Sequence, residues 1–206
     1  QKHVEAELGR TMTLKIASTS DGRRRRSERS QVAIVEATLA LINEGKQVPT
    51  AQQVADRAGV SIRSFFRHFA DMDALFLSAD EMLGASYEAL FAVSDRSGAL
   101  PERISRAVEQ YGSAFEQLSG LILCTQALAW RFPVLQERYA YHQKRLRDEL
   151  ELWLPEVATA LMSRREAVHA VTSFEMWHRL REHQRLSQKN CHDIIQELVT
   201  DLLATR

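Results

Sequence analysis

Within seven residues the sequence gathers Ile62, Arg63, Ser64, Phe66, Arg67 and His68, a mixture of cations, a hydroxyl and apolar groups. Such a set suits a groove lined by phosphates and base edges. A guanidinium is planar and can bridge O6 and N7 of one guanine, so Arg63 is the best-equipped base reader of the group. Upstream, Arg23-Arg24-Arg25-Arg26 sets four cations in succession. Cations at that density neutralise phosphates and release counterions. Taken alone, the run reads first as a solvated, disordered tail; its place just ahead of the first helix brings the two readings level, and both stand.

Two further constellations bear on catalysis. Glu175-Met176-Trp177-His178 has the Glu-x-x-His spacing of di-iron carboxylate bundles. Those bundles need a second copy and two more glutamates, so structural packing is the preferred reading and a metal-binding helical-bundle enzyme the rival. Cys124 and Cys191 sit in apolar helical sequence without Cys-x-x-Cys or Cys/His spacing, as free thiols of a reducing cytoplasm do. No nucleophile-elbow, phosphate-loop, zinc-protease or dinucleotide fingerprint occurs. The expectation is therefore no catalytic residue, no metal and no cofactor.

The elements that must position these groups are legible from periodicity and punctuation. Four prolines, at 49, 101, 133 and 155, lie far apart, and hairpin signals between β-rich runs are absent, which argues for an all-α fold. Residues 1–26 read as an extension, with linker chemistry at Ser18 to Gly22. A first helix is expected from Ser27 to Asn43, burying Val32, Val35, Leu39 and Ile42, with Gly45 just past its end. Thr50 and Gln53 form a capping box. Across 50–69 a short helix, a tight turn at Gly59 and a second helix capped by Ser61 follow; Val54, Ala55, Phe65 and Phe69 face inward. Further helices are expected over 72–93, 101–118 (closed by Ser119-Gly120), 121–131, about 134–154, 163–183 (opened by a Ser163/Glu166 capping box) and 187–204.

Net charge is zero, but it is unevenly spread. Residues 1–68 hold 12 Lys and Arg against 7 Asp and Glu, a net of +5, and residues 69–206 hold 15 against 20, a net of −5. A basic front and an acidic back suit a polyanion-binding module joined to a part with another task. No run of about 18 apolar residues and no signal-peptide core is found, so no membrane partner and a cytoplasmic location are expected.

The stretch from Val32 to Phe76 resembles the TetR family of bacterial regulators. The family's second motif helix typically ends in an aromatic, two polar residues and Phe, followed by a short link and Lys-x-x-Leu; here these are Phe66-Arg67-His68-Phe69, Ala70-Asp71 and Met72-Asp73-Ala74-Leu75. Two positions depart from it. The family often has Tyr at the place of Phe66 and Lys at the place of Met72, both common phosphate contacts, and Thr50, Arg63, Arg67 and the arginine run are available to compensate.

The resemblance implies a three-helix DNA-binding domain at 27–75, followed over 76–206 by a helical-bundle domain for ligand binding and dimerisation. It implies a homodimer on a palindromic double-stranded operator, acting as a repressor released by a small molecule. An activator of the same fold, or an interaction module that uses this architecture without DNA, remains open. On the DNA side, Thr50 and Gln52 would contact the backbone. Ser61 would cap the helix at the groove, Ile62, Arg63 and Ser64 would lie deepest, Phe66, Arg67 and His68 would flank phosphates, and Arg23 to Arg26 would follow the backbone or enter the minor groove. Met82, Tyr87, Phe91, Tyr111, Phe115, Cys124, Trp130, Tyr139, Trp177 and His178 form an aromatic-rich set suited to a hydrophobic or aromatic effector, though core packing uses the same residue types. A wide apolar stripe on the last helix, with the helix before it, offers Val171, Phe174, Ile194, Ile195, Leu198 and Leu202 as a dimer face.

Overall fold

The computed structural model describes the backbone of residues 2–46, 48–91 and 95–204, and the side chains of the same residues except 2–21, 23, 85 and 88. Every regular element among them is helical. Contacts divide the chain into two units, Gln1–Ala79 and Asp80–Arg206.

The first unit is built on α1 (Lys2–Asn43), α2 (Ala51–Arg57), α3 (Ile62–His68) and the start of α4 (Met72–Phe91). The expected extension is continuous with the first helix. No proline precedes Pro49, so nothing removes a backbone donor along the way. The buried seam of α1 is Ile34, Val35, Ala37, Thr38, Leu41 and Ile42, packed on Val54, Ala55, Phe65, Phe69 and Leu75. Val32, expected in the seam, is exposed at 42%: the inward face begins two residues later. Thr38 is buried without penalty because its hydroxyl donates to the Ile34 carbonyl at 2.9 Å.

Both turns of the unit end a helix the same way. At the end of α1, Gly45 (φ +88°) donates to the Ile42 carbonyl and Lys46 to that of Leu41. At the end of α2, Gly59 (φ +67°) donates to Asp56 and Val60 to Ala55. Each is a glycine-centred C-cap that satisfies carbonyls the helix would leave open. The N-termini are closed as the sequence anticipates. Thr50 Oγ1 accepts from the Gln53 amide while Gln53 Oε1 accepts from the Thr50 amide, and Ser61 Oγ accepts from the Ser64 amide at 3.1 Å.

The second unit holds the rest of α4 and α5 (Leu100–Ala129), α6 (Pro133–Trp153), α7 (Pro155–Thr159), α8 (Met162–Val171), α9 (Phe174–His178) and α10 (Gln188–Leu203). A π-helical turn, Arg179–His183, follows α9. Pro101, Pro133 and Pro155 each sit in the first turn of a helix, where the missing N–H costs nothing. The core joins Ile104, Tyr111 and Phe115 of α5 to Leu150 and Trp153 of α6, Val168 of α8, Phe174 and Trp177 of α9, and Cys191, Ile195 and Val199 of α10. Both cysteines are free and buried.

Three expectations need correction. Ser119-Gly120 does not end a helix; α5 runs through it. A mid-helix glycine costs about 1 kcal/mol, whereas burying Leu128 beyond it is worth roughly 1.5–3 kcal/mol. The 163–183 helix is broken at Thr172-Ser173. There the Thr172 hydroxyl adds a second bond to the Val168 carbonyl, which the Thr172 amide already reaches at 3.0 Å, and Ser173 Oγ accepts from the Met176 amide as the cap of the next helix. The Ser163 capping box does not form: α8 starts at Met162, and Glu166 is held instead by both terminal nitrogens of Arg147, at 2.6 and 2.8 Å. No helix among the described residues is long and apolar enough to cross a membrane.

Candidate nucleic-acid interface

Phe65 is fully buried and anchors α3 on the core of the first unit, so the residues on either side of it must point outward. Arg63 is exposed, and among the described residues no hydrogen bond or ion pair holds it. Arg67 is also exposed, its guanidinium donating to Ser64 Oγ at 2.8 Å. Arg63 and Arg67 therefore stand one helical turn apart on the open side of α3. Phe66 is 52% exposed, and its ring meets Phe65 edge-on at 5.2 Å. Ile62 is half-buried and packs partly on the core.

The other residues expected on DNA are placed less openly. Ser61 spends its hydroxyl on the cap. His68 turns inward: its Nε2 is buried without a hydrogen-bond partner, and burial, with Arg67 nearby, holds the imidazole below the usual histidine range. It is thus poorly placed to flank a phosphate. Thr50 and Gln52 are both exposed, Gln52 Nε2 donating to Asp56 Oδ1 at 2.8 Å.

The arginine run differs from an extended arm. Arg24, Arg25 and Arg26 are exposed residues of α1, Arg24 pairing with Glu28 at 3.0 Å; the Arg23 side chain lies outside the described residues. Consecutive helical residues point about 100° apart, so Arg24, Arg25 and Arg26 cannot share one face. A helix about 10–12 Å across does not fit a minor groove about 6 Å wide, which removes threading of the backbone along that groove.

Two positioning features were not read from the sequence. Arg57 of α2 is tied to Glu44 at the end of α1 by hydrogen bonds of 2.9 and 2.5 Å, and the guanidinium holds the Glu44 carboxyl below its usual range. Asp71 caps α4, its Oδ1 accepting from the Ala74 amide at 2.8 Å. An aspartate just ahead of an apolar helix was the available signal for the second. Nothing local marks the first.

In the second unit the aromatic set scatters. Phe91, Tyr111, Phe115, Cys124 and Trp177 are core residues, whereas Met82 is 41% and Trp130 83% exposed. Tyr111, Phe115 and Trp177 border a cavity of about 10 Å³, room for a water at most. Tyr87 lies beside His142 with the ring centroids 5.3 Å apart and the planes tilted, and His142 Nε2 and Arg138 both bond the Asp80 carboxylate. Burial pushes that carboxyl up, but His142 and Arg138 together hold it below its usual range.

Tyr139 donates to Glu175 Oε1 at 2.6 Å, and Gln126 donates to both. His178 stacks on Phe174 instead of joining Glu175. Among the described residues no group of three His, Cys, Asp or Glu is placed to hold a metal.

The dimer candidates divide as sharply. Phe174 and Ile195 are 2% and 3% exposed inside the chain's own core, which corrects their assignment to an interface. Val171, Ile194, Leu198 and Leu202 are half-buried.

Residues 34–79, which contain the capped helices, the Gly59 turn and the Arg63 face, match the family model for "Bacterial regulatory proteins, tetR family". That segment is similar to the TetR family of bacterial regulators. No curated protein sequence matches it. Among solved structures it is similar in fold to a transcriptional regulator from Rhodococcus sp. Rha1, at 19% identity over 86% of this chain and 95% of that one, with a TM-score of 0.63. A TetR transcriptional regulator from Rhodococcus sp. RHA1 is similar over 84% of this chain and 96% of its own, at 17% identity and a TM-score of 0.50. A structure from Mesorhizobium loti MAFF303099, assigned to the TetR family of regulators, covers 87% and 97% at 19% identity with a TM-score of 0.63. At these identities the likeness concerns the fold. The likeness to the TetR family rests on residues 34–79.

Proposed function

We propose that this chain is a TetR-family regulator, a homodimeric repressor that holds a palindromic operator through α3 and lets it go when a small apolar or aromatic molecule binds the second unit. The observation that carries the DNA half is Arg63, exposed and uncommitted on a helix anchored from behind by Phe65. Arg67, Ser64 and Phe66 share its open side, and Thr50 and Gln52 offer exposed polar groups at the start of α2. Reading a palindrome needs two such helices about 34–36 Å apart, which two copies related by a two-fold axis provide.

The dimer half is supported by α10. Cys191, Ile195, Val199 and Leu203 fill the chain's own core, and Ile194, Leu198 and Leu202 form a second apolar strip beside them. Leu161 and Met162, 73% and 79% exposed where α8 begins, add to the uncovered apolar surface. An effector entering the aromatic core of the second unit has to displace side chains, since the cavity there is far below the roughly 300 Å³ that small-molecule sites start from. Such a molecule acts only if it prefers one conformation over another. Helix α4 belongs to both units and is the covalent route between them. Repression, with activation as the other outcome, is the mode the family resemblance implies.

The test is a salt titration of binding to a duplex pool. Affinity that falls linearly in log–log form with added salt, to a slope set by several phosphate contacts, is the expected result. Absence of duplex binding at low ionic strength would sink the regulator reading.

A further inference from the structure

We propose that Phe66 reads the 5-methyl group of thymine in the major groove, so that T·A pairs at set positions form part of each half-site. The proposal rests on the DNA-binding reading above and deepens it. From the sequence alone, Phe66 stood beside the phosphates, in the place of a tyrosine whose hydroxyl would bond one. The structure gives it a different chemistry. Its ring has no donor, and 52% of the residue is open to solvent on the same helix as Arg63.

The ring is also held. Phe66 meets Phe65 at 5.2 Å with the planes 82° apart, and Phe65 has no exposure at all, so one side of Phe66 rests on an immobile neighbour. Ile62 lies one turn earlier, half-buried, and continues the apolar strip towards the start of α3. Arg63 and Arg67, each one residue further along, form a cationic strip beside it. Arg67 is steadied by Ser64 Oγ.

An apolar strip with cations along one side is complementary to a groove that carries negative charge at its edge and a methyl group on its floor. Of the four bases, thymine alone presents such a methyl in the major groove, and phenylalanine side chains are among those that contact it. A protein partner for the same strip would leave Arg63 and Arg67 facing an apolar interface. The charges commit it to DNA.

The experiment uses the full chain and a duplex it has itself selected from a random pool. Each thymine of that duplex is replaced in turn by deoxyuridine, which deletes the methyl and nothing else, and affinity is read by fluorescence anisotropy at fixed salt. Wild-type protein should lose about three- to five-fold at one or more positions per half-site, the size of one buried methyl contact. Phe66→Ala should bind the thymine duplex as weakly as wild type binds the uracil one and should no longer tell them apart. Phe66→Tyr keeps the ring and should keep the discrimination.

Uracil replacement without effect at every position overturns the proposal, as does discrimination that survives in Phe66→Ala. Phe66 is exposed, so its variants should melt with the parent, and a melting shift shared by the Ala and Tyr forms would mark a packing role and overturn it too. A protein that selects no duplex fails the regulator reading itself, which separates the two failures.

Discussion

Arg63 lies on the solvent side of α3, and among the described residues no partner restrains it, so its contribution to DNA binding can be separated from any contribution to folding. Replacing it with alanine should weaken binding to a selected duplex by about 1–3 kcal/mol, roughly five- to 150-fold, if it spans a guanine. The specificity for that base pair should relax in step. Thermal unfolding should be unchanged, because an exposed side chain without partners stabilises nothing. Anisotropy on the parent duplex and on one with the guanine replaced checks the first two outcomes, and a melting curve checks the third. Arg57 makes the useful contrast: it is a cation of the same unit, but its two hydrogen bonds to Glu44 give it a positioning task between α1 and α2.

At the scale of elements, close approach matters more than propensity. Gly112 of α5 is buried against Trp177 and His192: a Cβ there would fall 2.5 Å from Trp177 Cη2 and 2.5 Å from His192 Nε2. Trp177 is 3% exposed and cannot swing away. Gly112→Ala gains up to about 1 kcal/mol of helix propensity but meets an overpacking cost of about 1–3 kcal/mol, so a net loss is expected. Gly84 of α4 has nothing within 4 Å of such a Cβ, and Gly84→Ala should raise stability by up to about 1 kcal/mol. Opposite shifts of the unfolding midpoint in urea would bear this out, and shifts of the same sign would refute it.

At the scale of the whole molecule, two behaviours are predicted. The first is pH dependence. Burial holds His68, His169 and His192 below the ordinary histidine range, partly against Glu151 for His169 and against Glu109, Asp193 and Glu116 for His192. A histidine depressed in the folded state binds its proton more weakly than in the unfolded chain. Below its unfolded pKa of about 6.5 the unfolded state therefore takes up more protons, and stability falls as pH drops. The unfolding temperature should decline between about pH 7.5 and pH 5.5, less steeply in His192→Gln; a midpoint that rises on acidification contradicts the assignment. The second is assembly. Leu198→Glu places a charge on the half-buried strip of α10 and should convert a dimer to a monomer by sedimentation, with the helical spectrum retained. An unchanged mass would remove α10 from the interface.

Local chemistry was enough to mark out the helix-turn-helix. Thr50, Gln53, Gly59 and Ser61 act on backbone groups three to five residues away, and Phe65 and Phe69 act through simple helical spacing, so their roles are written in the order of the residues. The break at Thr172-Ser173 carries local side-chain bonds, from the Thr172 hydroxyl to Val168 and from the Met176 amide to Ser173. The long continuous α5 and the rejected capping box at Ser163 depended on packing and on partners beyond the local sequence: the pull of Leu128 into the core and the guanidinium of Arg147 on Glu166. The same holds for the faces. Ile195 and Leu198 are alike as residues in an apolar stripe, and only the packing of α10 on α5 and α8 sent one inside and left the other half open. Apolar burial has no direction of its own; which surface it covers is settled when the helices meet.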